Sequence, residues 1–288
     1  MDALEKTPLN HFLTGTNALA LGTAGCNLRC QYCQNWQYSM EKPQDVKCLD
    51  MPKDEVLKAA KEKECNTICF TYTEPIVFAD YVLDVATFAK SRGVRTVMAT
   101  AGYVNPEPLK DLCKVIDGFC VGLKGFDTKF YDKVIGVTDF APILKAMEII
   151  KEQRKWLEVV TLIVPTYNDD MNIIREQCKW HKKTLGENVP LHFSRFVPEY
   201  QLSNLIRTPV KTMEQAHKIA LEEGIKFVYL SNVAPHDANN TYCPKCKAAA
   251  IKRVGFKILE NCLDKGKCRK CGTLLPGERG LAPHPREQ

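Results

Sequence analysis

Seven of the fourteen cysteines fall into two groups whose spacing can do chemistry. Cys26, Cys30 and Cys33 lie in Gly22-Thr-Ala-Gly-Cys26-Asn-Leu-Arg-Cys30-Gln-Tyr-Cys33-Gln-Asn-Trp36. Three thiolates this close on one loop can hold three corners of a cubane iron–sulfur cluster, which normally takes four thiolates. No fourth cysteine follows within the loop; the next is Cys48. One iron is then left open, as a catalytic metal needs in order to bind substrate. Zinc is the competing reading, but a structural zinc site takes four protein ligands and no histidine lies nearby. Gly22 and Gly25 let the backbone turn sharply around such a cluster.

The second group is Cys243-Pro-Lys-Cys246 and Cys268-Arg-Lys-Cys271. Paired Cys-x2-Cys knuckles are a strong signal for tetrahedral four-thiolate coordination. Structural zinc is the first choice, with a rubredoxin-type iron or a second cluster as alternatives and Cys262 as a spare ligand. A segment of ~35 residues cannot bury a sufficient core, so metal must supply folding energy.

The other cysteines (Cys48, Cys65, Cys69, Cys113, Cys120 and Cys178) are dispersed and read as small core hydrophobes. So many thiols without an export signal, and without the ~20 apolar residues of a membrane span, point to a soluble cytoplasmic protein in a reducing compartment. The formal net charge is +6 with Lys and Arg scattered along the chain, which gives no nucleic-acid footprint.

The elements that must position these groups alternate. Apolar, β-branched runs occur at residues 18–23, 67–73, 95–100, 118–124, 157–164, 191–196 and 226–231. Amphipathic stretches at 75–91, 106–115, 140–154, 171–185 and 212–223 separate them. Such alternation implies parallel strands joined by crossover helices. The expected fold is α/β: a partial (β/α) barrel of about six strands plus an extra strand, with a doubly wound sheet fitting the pattern equally well. A zinc-ribbon or rubredoxin-like module should follow. The expected divisions are a polar lead over 1–17, the barrel over 18–236, the four-cysteine ribbon over 237–275 and a poorly ordered tail over 276–288. Reactive groups should gather at the C-terminal ends of the strands.

The Cys-x3-Cys-x-aromatic-Cys loop resembles the signature of the radical S-adenosylmethionine superfamily. The resemblance narrows with Lys6-Thr-Pro-Leu-Asn-His-Phe, Cys33-Gln-Asn-Trp36, Thr71-Tyr-Thr-Glu-Pro75, Thr100-Ala-Gly-Tyr-Val-Asn-Pro-Glu-Pro108, Leu191-His-Phe-Ser-Arg-Phe196 and Asn240-Thr-Tyr-Cys-Pro244. These look like the AmmeMemoRadiSam-system radical SAM enzymes, which are relatives of pyruvate formate-lyase-activating enzymes. The likeness runs from residue 4 to about 277.

That resemblance implies a [4Fe–4S] cluster on Cys26, Cys30 and Cys33, whose open iron binds S-adenosylmethionine. Reductive cleavage to a 5′-deoxyadenosyl radical would then abstract hydrogen from a macromolecular substrate. It places Tyr32 near the adenine and Thr73 and Glu74 at the ammonium. Thr100 and Gly102 come near the ribose, where relatives often have Asn in place of Ala101. Lys124 is assigned to a carboxylate or anionic substrate, although relatives carry Asp where Gly122 stands. The resemblance turns His192 toward the cofactor or substrate; strand alternation by itself only puts it on one face with Ser194, where a hydrogen-bonded core histidine is the other reading. Loop residues Asn168, Asp169 and His236 are further candidates for substrate contacts. Implied partners are a flavodoxin- or ferredoxin-like electron donor, a protein substrate, and Memo- or AMMECR-type proteins. The rival function is a non-enzymatic scaffold with zinc in both cysteine groups.

Overall fold

A computed structural model describes residues 1–279. Eight strands form one sheet in sequence order: β1 (Asp2–Ala3), β2 (Asn17–Leu21), β3 (Thr67–Phe70), β4 (Arg95–Thr100), β5 (Gly118–Gly122), β6 (Trp156–Ile163), β7 (Leu191–Arg195) and β8 (Val228–Ser231). β1 runs antiparallel to β2, and β2 to β8 are parallel. β8 does not pair with β1 or β2, so the curled sheet is a half-barrel. Helices α1 (Lys53–Glu62), α2 (Ala79–Ser91), α3 (Pro106–Val115), α4 (Ala141–Glu152), α5 (Met171–Trp180) and α6 (Val210–Glu222) supply the crossovers. All seven apolar runs are the seven parallel strands. The alternation did not mark α1, because only Val56 and Ala60 of its apolar stripe are fully buried.

Strand period sorts the two faces. Leu19, Ile68, Met98, Phe119, Val159 and Phe193 point outward into the core under the helices. Ala18, Cys69, Val97 and Cys120 point inward. Their inner core is completed by Leu4, Leu9 and Phe12, each 0% exposed. The lead is therefore no polar strap: it threads the concave side of the sheet, where burying three large side chains outweighs the polar residues between them.

After β8 the chain forms a three-stranded sheet of β9 (Thr241–Tyr242), β10 (Ala249–Val254) and β11 (Lys257–Asn261), and a hairpin of β12 (Leu263–Asp264) and β13 (Lys267–Cys268). This ribbon packs on the lower end of β8, where Phe227 and Tyr229 meet Cys243, Ala250, Cys268 and Leu275. Arg253 Nη2 donates to Asn10 O at 3.0 Å, which ties ribbon to lead. His11 continues the joint through Tyr229 Oη at 2.5 Å and Pro276 O at 2.8 Å. The start of the expected tail is also held, since Leu13 N donates to Glu278 O at 2.8 Å. The rest of that tail lies outside the described residues. No described helix is long and apolar enough to cross a membrane.

Candidate active site

The three-cysteine loop leaves the C-terminal end of β2, and the segments that follow β3, β4 and β5 hold it. Arg29 N and Gln31 N donate to Ile135 O and Val134 O, both at 2.9 Å. Asn27 Nδ2 reaches Tyr103 O at 2.7 Å and Asn35 Nδ2 reaches Tyr72 O at 2.5 Å. A side chain at Gly22 would come 2.7 Å from Thr71 O, so only glycine lets the loop leave that close to β3.

All three thiols are half-buried. Leu28 N–H points at Cys26 Sγ at 3.4 Å, and Ser39 Oγ lies 3.0 Å from Cys33 Sγ. Burial pushes the Cys30 thiol up to about 11 despite the pull of Lys124. A cation is what would turn such thiols into thiolates.

Below the loop a cavity of about 520 Å³ follows the inner face of the sheet. Tyr32, Thr73, Glu74, Thr100 and Lys124 line it together with the three cysteines. Thr71, Tyr72 and Thr73 make a tight turn closed by Thr73 N to Thr71 O at 3.0 Å, with Tyr72 in the left-handed region at φ 72. That strained turn leaves the buried Thr73 hydroxyl without a protein partner, and the Tyr32 hydroxyl is likewise unpartnered. Lys124 is held by its backbone, which donates to Tyr131 Oη at 3.0 Å and accepts from Asn168 Nδ2 at 2.8 Å. Its ammonium makes no ion pair among the described residues.

Several expected roles change. Glu74 is a clamp: Oε1 accepts from Thr100 Oγ1 at 2.6 Å and Ile76 N at 3.2 Å, and Oε2 accepts from Ala101 N at 2.7 Å. Thr100 Oγ1 also accepts from Gly102 N at 2.9 Å, so its hydroxyl is occupied on both sides. Gly102, at φ 72, shapes this turn and does not line the cavity. His192 does not line it either. It lies two residues deeper than Ser194, with Nε2 2.7 Å from Glu158 Oε2 in the barrel floor. Asn168 and His236 are local brackets: Asn168 Oδ1 accepts from Val164 N at 2.6 Å, and His236 caps the turn Asp237–Asn239. Asp169 Oδ1 accepts from Thr166 N at 2.9 Å.

The cavity also has lining that sequence reasoning missed: Asp2 and Lys6 from the lead, Cys69 and Cys120 from the strands, and Ser194. The two thiols are buried as expected, yet in the barrel interior. Alternation from Thr71 and Gly122 would have placed both on that face.

At the ribbon, Cys243, Cys246, Cys268 and Cys271 bring their sulfurs within 4.8 Å of one another. The Cys243–Cys271 and Cys246–Cys268 pairs are 3.5 and 3.7 Å apart. One tetrahedral ion with thiolates at ~2.3 Å requires sulfurs ~3.8 Å apart, so the four fit a single zinc or iron. Cys262 is not in the set; its thiol meets Glu260 Oε1 at 3.0 Å. Cys26, Cys30 and Cys33 stand apart from this set and line the groove.

The Radical SAM superfamily model matches residues 21–176, from the end of β2 into α5. The chain belongs to that superfamily. An uncharacterized protein of Methanocaldococcus jannaschii is 39% identical over 96% of this chain and 82% of its own length. The pyruvate formate-lyase-activating enzyme of Clostridium pasteurianum is 27% identical over 53% of this chain, which spans 64% of that enzyme. Among solved structures, Streptococcus suis SuiB bound to S-adenosylmethionine shares the fold with TM-score 0.58 at 14% identity, over 80% of this chain and 53% of that one. A radical SAM methyltransferase from Sphaerobacter thermophilus gives 0.56 at 12% identity, over 75% and 66%. The chain is thus a radical SAM enzyme. The superfamily implies a [4Fe–4S] cluster and S-adenosylmethionine, and the donor set at the head of the groove fits both.

Proposed function

We propose that Cys26, Cys30 and Cys33 hold the [4Fe–4S] cluster and leave one iron for the amino and carboxylate groups of S-adenosylmethionine. When bound, the pair supplies one-electron reductive cleavage of the sulfonium and hydrogen abstraction from a substrate C–H bond. The observation that carries this reading is three half-buried free thiols on one loop at the head of a groove that also holds one unpaired ammonium. Lys124 is assigned to a carboxylate, the cofactor's or the substrate's, as a point charge. Thr73 Oγ1 is the free acceptor for the cofactor ammonium, and Tyr32 flanks the adenine. Glu74 and Thr100 act one step back by fixing the ends of β3 and β4. The walls orient the target bond and exclude water.

The substrate is read as macromolecular, on the likeness to activating enzymes, and the narrower placement among AmmeMemoRadiSam-system enzymes rests on the motifs quoted above. A flavodoxin- or ferredoxin-like donor would supply the electron, and Memo- or AMMECR-type proteins are the partners that placement suggests. Fourteen cysteines free of disulfides support a cytoplasmic setting. The ribbon is read as a structural zinc site.

Anaerobic reconstitution with iron and sulfide tests the central point. The protein should turn brown and release 5′-deoxyadenosine from S-adenosylmethionine under dithionite. Replacing any of Cys26, Cys30 or Cys33 with Ala should abolish both while the ribbon keeps its metal. A colourless protein with zinc in the first group after oxygen-free preparation would instead favour the scaffold.

A further inference from the structure

The modest net charge of the chain conceals a sharp segregation. Between Thr241 and Leu275 there are nine Lys and Arg against two acids, a net of +7, whereas the whole chain carries +6. Everything outside the ribbon therefore has a net charge of −1.

Within the ribbon the cations gather at the metal knuckles. Lys245 and Lys247 flank Cys246, Lys267 and Arg269 flank Cys268, and Lys270 precedes Cys271. All five are exposed, and among the described residues none has an ion pair or a side-chain hydrogen bond. Because the four sulfurs converge within 4.8 Å, these five residues all adjoin ligands of one centre. Neutralising that centre does not account for them: zinc with four thiolates carries a charge of about −2, well under five cations. Lys247 even occupies a left-handed position, φ 59, where the matching residue of the other knuckle is Gly272 at φ 72. Apolar groups sit beside this charge. The Tyr242 ring, next to Cys243, is 38% exposed, and Leu274, bridged to Lys267, is 59% exposed.

We propose that the knuckle face of the ribbon binds single-stranded nucleic acid, with the five cations on phosphates and Tyr242 stacked on a base. Clustered cations give affinity for a polyanion, and an exposed ring among them suits a base face better than a carboxylate. The charge pattern of the linear sequence hid this, because cations spread over 26 residues converge only when metal ligation folds the knuckles together. The site lies at the opposite end of the half-barrel from the three-cysteine loop, so it would anchor a long molecule and not the reacting group. This inference does not depend on the radical chemistry.

The test is fluorescence anisotropy of full-length, zinc-loaded protein with labelled oligo(U) RNA and oligo(dT) DNA, beside labelled poly-glutamate of similar length. With ~5 phosphates engaged, log K should fall against log salt with a slope of about −3.5, or roughly 130-fold between about 50 and about 200 mM. The triple variant Lys245→Glu, Lys247→Glu, Lys270→Glu should weaken binding at least about ten-fold and flatten that slope. Tyr242→Ala should weaken it about ten-fold with the slope unchanged. Reversing Lys110 and Lys114 on α3 is the control and should change nothing. Metal content and melting temperature establish that each variant is folded. Tighter binding to RNA than to DNA would identify the natural strand as RNA, and the reverse as DNA. Equal binding of poly-glutamate, which would mark an acidic protein surface as the partner, overturns the proposal. So does a folded triple variant that binds as well as the original.

Discussion

The ammonium of Lys124 occupies the space that a side chain at residue 122 would fill: a Cβ on Gly122 would stand 2.7 Å from Lys124 Nζ and 3.3 Å from its Cε. Both residues line the groove below the three-cysteine loop. Gly122 and Lys124 are thus one device. An Asp at the first position would offer a carboxylate there; this chain has a folded-back cation instead.

Gly122→Ala should push that cation aside without unfolding the strand, since the displaced atoms end a flexible side chain. A charge-assisted hydrogen bond contributes about 1.5–3 kcal/mol, so affinity for S-adenosylmethionine should fall roughly ten-fold or more. Lys124→Gln should match it, and neither should move the urea midpoint appreciably. Isothermal titration of the cluster-loaded protein measures the affinity. Unaltered binding by both variants would remove Lys124 from the cofactor site.

The Glu74–Thr100 contact should behave as a clamp. Thr100→Val leaves one buried oxygen of Glu74 short of a donor and should cost about 1–3 kcal/mol. Glu74→Gln aims an amide at donors that need an acceptor, and should cost at least as much. In a double-mutant cycle on urea stability the two should couple by more than about 0.5 kcal/mol, as residues in one hydrogen-bond network do. Strict additivity would mean that the two strand ends are held independently.

Particular residues show what the sequence makes legible. Strands with Val, Ile and Thr on both faces are marked by composition alone, as at Val97–Met98 and Val159–Val160, because both sides of the sheet are covered. Close spacing marked the seven metal-binding candidates for the same local reason. Depth along a strand is not local. Alternation correctly paired His192 with Ser194 on the inner face, but only the tertiary structure shows that one lies in the floor and the other at the groove. Nor could spacing reveal that Leu4, Leu9 and Phe12 would fill the concave side, or that Glu74 would meet Thr100. Both are contacts between distant segments, set by how the sheet curls.

Acid should destabilise the protein through His181. Burial holds its pKa down to about 4 from an ordinary 6.5, with Nε2–H donating to Val189 O at 3.0 Å. The folded chain keeps it neutral while the unfolded chain takes up a proton below pH 6.5. Its contribution is therefore complete above pH 6.5 and is lost progressively as pH falls toward 4, at up to about 1.4 kcal/mol per unit. His11, also held at about 4 by burial, adds the same sign in the same window. Urea unfolding at pH 7, 6 and 5 should show stability falling, and His181→Leu should flatten the dependence. An unchanged slope in that variant would assign the acid sensitivity elsewhere.

The last prediction concerns His192, which the motif resemblance puts at the cofactor and the geometry puts beneath it. Glu158, 0% exposed, accepts from Asn10 N, His11 N, Trp156 Nε1 and His192 Nε2 at 2.7–3.0 Å. Burial alone would raise its pKa, but the hydrogen bond and charge of His192 bring it down to about 2. The carboxylate thus joins β6 and β7 to the lead. Replacing it with Gln turns an acceptor of four donors into a partial donor and should destabilise by about 3 kcal/mol or more. His192→Leu removes one of the four and should cost about 1.5–3 kcal/mol. A structural role predicts that both variants, once loaded with cluster, bind S-adenosylmethionine within about two-fold of the original, because no atom of His192 reaches the groove. A cofactor role predicts the reverse pattern, normal urea stability with affinity reduced ten-fold or more, and that result would return His192 to the site.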